Sequence, residues 1–204
     1  MSETKDVAFM YCDIINPIAL ELNEAGVFEK LKKSIEGILS QISELFDIKY
    51  SIDKGSDNVL GNRYLIYCAE PRNVLRVAMM LFLGIKGTGI VKYNCLGMSV
   101  GINNMELISD YDITTSIGKA FNYTKLAASG PKYAENHSSI FKIHTDYFNL
   151  NRLDFVRVDN FIDSLDSKSC SELFTKMLED KKAKTGNNEV DSAIHIFDNF
   201  SFAN

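Results

Sequence analysis

No apolar run in this 204-residue chain approaches the roughly 20 residues that a bilayer-spanning helix needs, so no such helix is expected. The first residues, MSETKD, lack the basic start and apolar stretch of a secretory signal, and a cytoplasmic location is the expectation. No C-x-x-C pair occurs. Cys12, Cys68, Cys95 and Cys170 are widely spaced and three sit inside apolar runs, which predicts buried free thiols. His137, His144 and His195 form no zinc-like spacing with one another or with the cysteines, so a structural zinc site is not expected. An excess of basic residues is missing too: the net charge is −5, which argues against nucleic acid or an anionic membrane as a non-specific partner. There is no internal repeat and no low-complexity tract.

What is present is ordinary globular composition, 46% hydrophobic and 24% charged, enough to build a core without staples. Residues 6–12, rich in Val, Phe, Met and Tyr, suit a buried central strand. Asn16 and Pro17 suit a helix start, and Phe28, Leu31, Ile35, Ile38, Leu39, Ile42, Leu45 and Phe46 recur at helical spacing, giving a helix that reaches about residue 46 with a bend near Gly26. DIKYSI (47–52) and RYLIYCA (63–69) read as strands joined by the polar turn DKGSDN (53–58). Pro71 opens a second helix, ended by the glycines of GIKGTG (84–89). CLGMSVGIN (95–103) is a further strand, residues 111–130 a loop entering a third helix, and SSIFKIH (138–144) and RLDFVRV (152–158) read as strands.

This order predicts an α+β fold: a ferredoxin-like antiparallel sheet with helices on one face, over residues 1–165. Residues 166–204 read as a C-terminal extension, with a polar helix near 168–183 and a short strand near 190–197.

In that arrangement the first strand neighbours the hairpin that follows the first helix, so Asp13 meets the turn carrying Asp53 and Asp57. Paired carboxylates beside a helix N-terminus suit magnesium or manganese with a nucleoside triphosphate, because hard cations prefer oxygen ligands and helix N–H groups hold phosphate. Two such ions can hold the attacking and leaving oxygens of an in-line displacement. Each residue also has a plain role, Asp13 as a helix cap and Asp53 and Asp57 as turn residues.

Four stretches, in order, resemble the class III nucleotidyl cyclases. VAFMYCDI resembles that family's first strand ending in Asp-Ile, and YSIDKGSDN lies where the family has its second metal aspartate, 44 residues beyond Asp13 (57 − 13). MSVGIN resembles the strand written V-G-I-H. SIGKAFNYTKLAASG resembles the G-x-x-V-N-x-A-x-R-L helix, with Gly118, Asn122, Thr124 and Lys125 at or near its Gly, Asn, Ala and Arg. The resemblance covers roughly residues 6–145.

That resemblance implies two divalent ions, Mg²⁺ or Mn²⁺, on Asp13 and Asp57, with the backbone carbonyl of Ile14. Asn122 would orient the ribose, Lys125 would stabilise the α-phosphate, and Lys54 and Lys132 would meet the triphosphate tail. Tyr50, Asp53 and Thr115 fall at the base-selecting region. The lysine expected for adenine is absent, and a tyrosine can narrow a base pocket towards a pyrimidine. Further implied are UTP as the favoured substrate, a homodimer with sites at its interface, and a cyclic nucleotide read by a separate effector protein in antiphage defence. The alternatives are an ATP or GTP cyclase, or a degenerate nucleotide-binding module.

Two departures stand beside the resemblance. Ile15-Asn16-Pro17 replaces the family's small phosphate loop, and Pro17 removes an N–H that could hold phosphate. The hairpin also admits a register in which Asn62 of GNRYLIYC stands at the second metal position instead of Asp57.

Overall fold

A computed structural model describes residues 4–15, 24–53, 63–91, 95–106, 120, 122, 124, 140–145 and 155–200. The fold is α+β. Strand β1 (Thr4–Ile14) lies at the centre of a five-stranded sheet. Its neighbours are β3 (Arg63–Cys68) and β4 (Leu96–Glu106), both antiparallel to it, and β2 (Ile48–Ile52) pairs antiparallel with β3. A last strand, β5 (Ile140–Thr145), completes the order β2-β3-β1-β4-β5.

The β-α-β-β-α-β order expected from the sequence is present through β4. The all-antiparallel expectation holds for four strands and fails for β5, which runs parallel to β4. Parallel neighbours need a crossover instead of a hairpin, and Ala120, Asn122 and Thr124, between the two strands in sequence, are helical.

Alternation along β1 sets both layers. Ala8, Met10, Cys12 and Ile14 belong to the large core beneath the helices, while Val7, Phe9 and Tyr11 join Leu65, Tyr67 and Ala120 in a second cluster on the other face. A strand buried on both faces reads as a near-continuous apolar run, which is why it was legible.

Helix α1 (Val27–Leu45) turns Val27, Leu31, Ile35, Ile38, Leu39 and Ile42 into the core at helical spacing. It does not pass through Gly26 as a bend. Gly26 has φ 78°, in the left-handed region, and the described helix starts after it. After a 3₁₀ turn at Pro71–Asn73, α2 (Val74–Gly87) is buried nearly all round. Gly84 lies inside this helix, contrary to the expected stop there, because it faces α1: a Cβ at Gly84 would come 2.8 Å from Ile38 Cδ1. The helix stops at Gly87, and Gly89 turns the chain with φ 69°.

Two expected strands are helices. Of residues 152–158, those described (155–158) belong to α3 (Phe155–Ser164), whose buried Val158 and Ile162 are four apart. Residues 190–197 belong to α5 (Asn188–Asn199), whose buried Val190, Ile194 and Phe197 follow a four-then-three spacing. In both, β-branched residues suggested a strand, and the burial period decided for a helix. The expected polar helix is α4 (Ser167–Glu179), capped by Asp166 through Ser169 N and ending short of residue 183.

Cys170 and Met177 of α4 and Val190, Ile194 and Phe197 of α5 belong to the same core as β1, α1 and α2. Lys86, at the end of α2, is 4% exposed and donates to Ile162 O at 2.8 Å and Asp163 O at 2.9 Å. One ammonium thereby satisfies two carbonyls in the last turn of α3. All four cysteines are free and buried, as expected. No described helix is long and apolar enough to cross a membrane.

Candidate functional site

At one end of the sheet, β1 places Asp13 directly opposite Arg63 of β3 and Gly97 of β4. Asp13 is therefore a strand residue, and residues 16–23, where a helix it could cap would begin, lie outside the described residues. Its face is that of Tyr11 and Phe9, because side chains two apart share a face. Arg63 Nε donates to Asp13 Oδ1 at 2.7 Å, and Arg63 Nη1 lies 3.5 Å from Asp53 Oδ2. The Asp53 N–H donates to Arg63 O at 3.0 Å, which extends the β2–β3 ladder by one residue and fixes that carboxylate at the same end. The guanidinium carbon stands 4.9 Å from the centre of the Tyr11 ring, within cation–π range.

This cluster is largely out of water: the side chains of Arg63, Asp13 and Asp53 are 8%, 19% and 14% exposed. Two carboxylates face one guanidinium, so the described side chains leave the site one negative charge in excess. Next to it, burial pushes the Cys12 thiol well above its usual range, and the Asp13 carboxylate adds to that shift. Cys95 is likewise pushed up to about 12 by burial. These thiols are inert packing groups.

Hard carboxylate oxygens are the donors that magnesium or manganese prefers, and the charge between Asp13 and Asp53 is already a cation. The donor chemistry fits a divalent ion provided that Arg63 releases Asp13. Among the described residues, no group of three or more His, Cys, Asp or Glu side chains is gathered as a metal cage.

The other candidates divide. Ile14 is buried in the strand beside Asp13, and Ile15 N donates to Cys95 O at 2.8 Å, which holds the end of β1 against the start of β4. Tyr50 lies on the other face of the sheet from Asp13: it packs against the core beneath the helices. It serves there as a strand aromatic. Asp57, Asn62, Lys54, Thr115, Lys125 and Lys132 lie outside the described residues, as does the Asn16-Pro17 turn.

Asn122 is helical and exposed. Its neighbours anchor that backbone over β1 and β4. The Thr124 hydroxyl lies 3.1 Å from Phe9 O and 3.0 Å from Ala120 O. Gly101 makes the approach possible, since a Cβ there would meet Ala120 O at 2.2 Å and Thr124 N at 2.3 Å. The glycine of MSVGIN is thus a contact glycine, where a helix backbone rests on the sheet.

Arg63 was missed in the sequence. The available signal was a basic residue opening a strand that is otherwise apolar, RYLIYC, opposite a strand ending in aspartate.

No family model matches the chain, and no curated protein is found as a relative.

Proposed function

We propose that this protein is a class III-like nucleotidyl cyclase, which converts a ribonucleoside triphosphate to its 3′,5′-cyclic mononucleotide and pyrophosphate. The observation that carries the proposal is the convergence of Asp13 and Asp53 on a buried cation at one end of the sheet. Further support comes from Asn122, whose neighbours Ala120 and Thr124 pack over the same face.

Asp13 and Asp57, with the Ile14 carbonyl, would hold the divalent ions. When bound, such ions lower the pKa of the attacking 3′-hydroxyl and neutralise phosphate charge. Asn122 orients the ribose, and Lys125 offsets charge developing on the α-phosphate, with Lys54 and Lys132 on the phosphate tail. Arg63 holds Asp13 and Asp53 in place, and it would have to release Asp13 for that carboxylate to hold a divalent ion. UTP is the favoured substrate, because the lysine that would read adenine is absent, and the base falls to the region of Tyr50, Asp53 and Thr115. Two subunits complete each site, and the cyclic product serves as a signal to a separate effector in antiphage defence.

A second reading has its own observation. Arg63 reaches Asp13 at 2.7 Å and is nearly buried, so it can act as a permanent counter-ion where a metal would bind. The protein is then a nucleotide-binding module without turnover. Incubation with Mn²⁺ and each of the four ribonucleoside triphosphates, with chromatography of the products, separates the two. A cyclic product supports the cyclase, and calorimetric binding without any product supports the module.

A further inference from the structure

Away from the Asp13 end of the sheet, a cleft of about 540 Å³ opens between the start of α2 and the C-terminal helices. Its walls carry Arg72 and Arg76 from the α2 side and Lys181, Lys182 and Lys184 from the segment joining α4 to α5. The acids there, Asp191 and Asp198, are both engaged. Asp191 accepts from Thr185 N, Thr185 Oγ1 and Gly186 N, and Asp198 Oδ2 accepts from Arg76 Nη2 at 2.5 Å. None of the three lysines has an ion-pair partner among the described residues. A chain of net charge −5 therefore gathers three positive charges in excess in one cleft.

The deciding feature is Arg76. Its side chain is 7% exposed, yet Nη1 is buried with no hydrogen-bond partner. A buried charged N–H without an acceptor is costly, and native proteins supply one.

We propose that this cleft binds a phosphorylated small molecule, whose phosphate oxygens pair with Arg72 and the lysines and draw the Arg76 guanidinium towards the cleft, so that Nη1 gains an acceptor. Arginine forks and clustered ammonium groups match a compact dianion, and a volume of this order suits a nucleotide-sized ligand. The site is separate from the proposed cyclase centre and does not depend on it.

The test is calorimetry of the full chain with inorganic pyrophosphate at fixed ionic strength, with sodium sulfate as the control anion. The expected result is saturable binding, weakened about tenfold or more in the surface variant Lys181→Glu/Lys182→Glu and in Arg76→Lys, and retained in Asp13→Asn. Circular dichroism confirms that each variant is folded. Because the lysine variant changes only exposed side chains, it decides the question even if Arg76→Lys unfolds. Absence of saturable binding, equal affinity in the lysine variant, or a response to sulfate as strong as to pyrophosphate overturns the proposal.

Discussion

Arg63 and Asp13 are direct partners across β1 and β3, in register and joined by a 2.7 Å hydrogen bond between charged groups. Substituting Arg63 by Met would leave Asp13 and Asp53 without this shared counter-ion in a poorly hydrated corner. Urea unfolding should show a loss of about 2–3 kcal/mol, below the 3–5 typical of a fully buried pair because Asp13 keeps partial access to water. In Arg63→Met/Asp13→Asn much of that loss should be recovered. Additive losses would show that the two side chains are not coupled.

Two glycines make opposite predictions. Gly101→Ala drives a methyl into the backbone of Ala120 and Thr124, which cannot step aside, and should cost at least about 2–3 kcal/mol and displace Asn122. Gly84→Ala meets no backbone, only the Ile38 side chain at Cδ1, Cγ1 and Cγ2 (2.8, 3.1 and 3.2 Å), which must shift, and the gain of about 1 kcal/mol in helix propensity offsets part of that crowding. Thermal melts of both variants check the contrast: Gly84→Ala modestly below wild type, Gly101→Ala well below it.

Lys86→Met removes both hydrogen bonds to the end of α3. A hydrogen bond to a charged group is worth about 1.5–3 kcal/mol, so the expected loss is about 2–3 kcal/mol, with faster amide exchange concentrated in residues 155–164. Uniform acceleration of exchange across the sheet would contradict a local cap.

The buried thiols fix the alkaline limb of stability. Cys68 and Cys95 are both held near 12 in the fold, chiefly by burial, against 9.0 for an ordinary thiol. Their folded pKa is raised, so the protonated form is the one the fold keeps. Their contribution is fully present below pH 9 and is lost as pH rises from 9 towards 12. Each thiol should remove about 1.4 kcal/mol per pH unit in that window. Urea titrations at pH 7.5 and pH 10 measure the slope, and Cys68→Ala/Cys95→Ala should reduce it, the raised thiols of Cys12 and Cys170 keeping the remainder.

Much of the sheet and its two covering helices could be read from the sequence. β1 is a near-continuous apolar run, and α1 shows its stripe in the spacing of Leu31, Ile35, Ile38 and Ile42. The C-terminal third was harder. Val158 in RLDFVRV and Ile194 in a short segment carry strand propensity, and only their burial at intervals of three and four residues makes them helical. At the site, Asp13 could be found because a carboxylate ends a buried strand. Arg63 could not, since its role depends on the pairing register of β1 with β3, and the face that Tyr50 takes, opposite that of Asp13, depends on the same register.

The proposed cyclase is tested most directly by one measurement: the purified protein is incubated with Mn²⁺ and UTP, ATP, GTP or CTP in turn, and products are identified by chromatography and mass. The account predicts a cyclic mononucleotide with equimolar pyrophosphate, most from UTP, and none from Asp13→Ala or Asp57→Ala protein that remains folded. No cyclic product from any of the triphosphates, or undiminished product from Asp13→Ala, would contradict it.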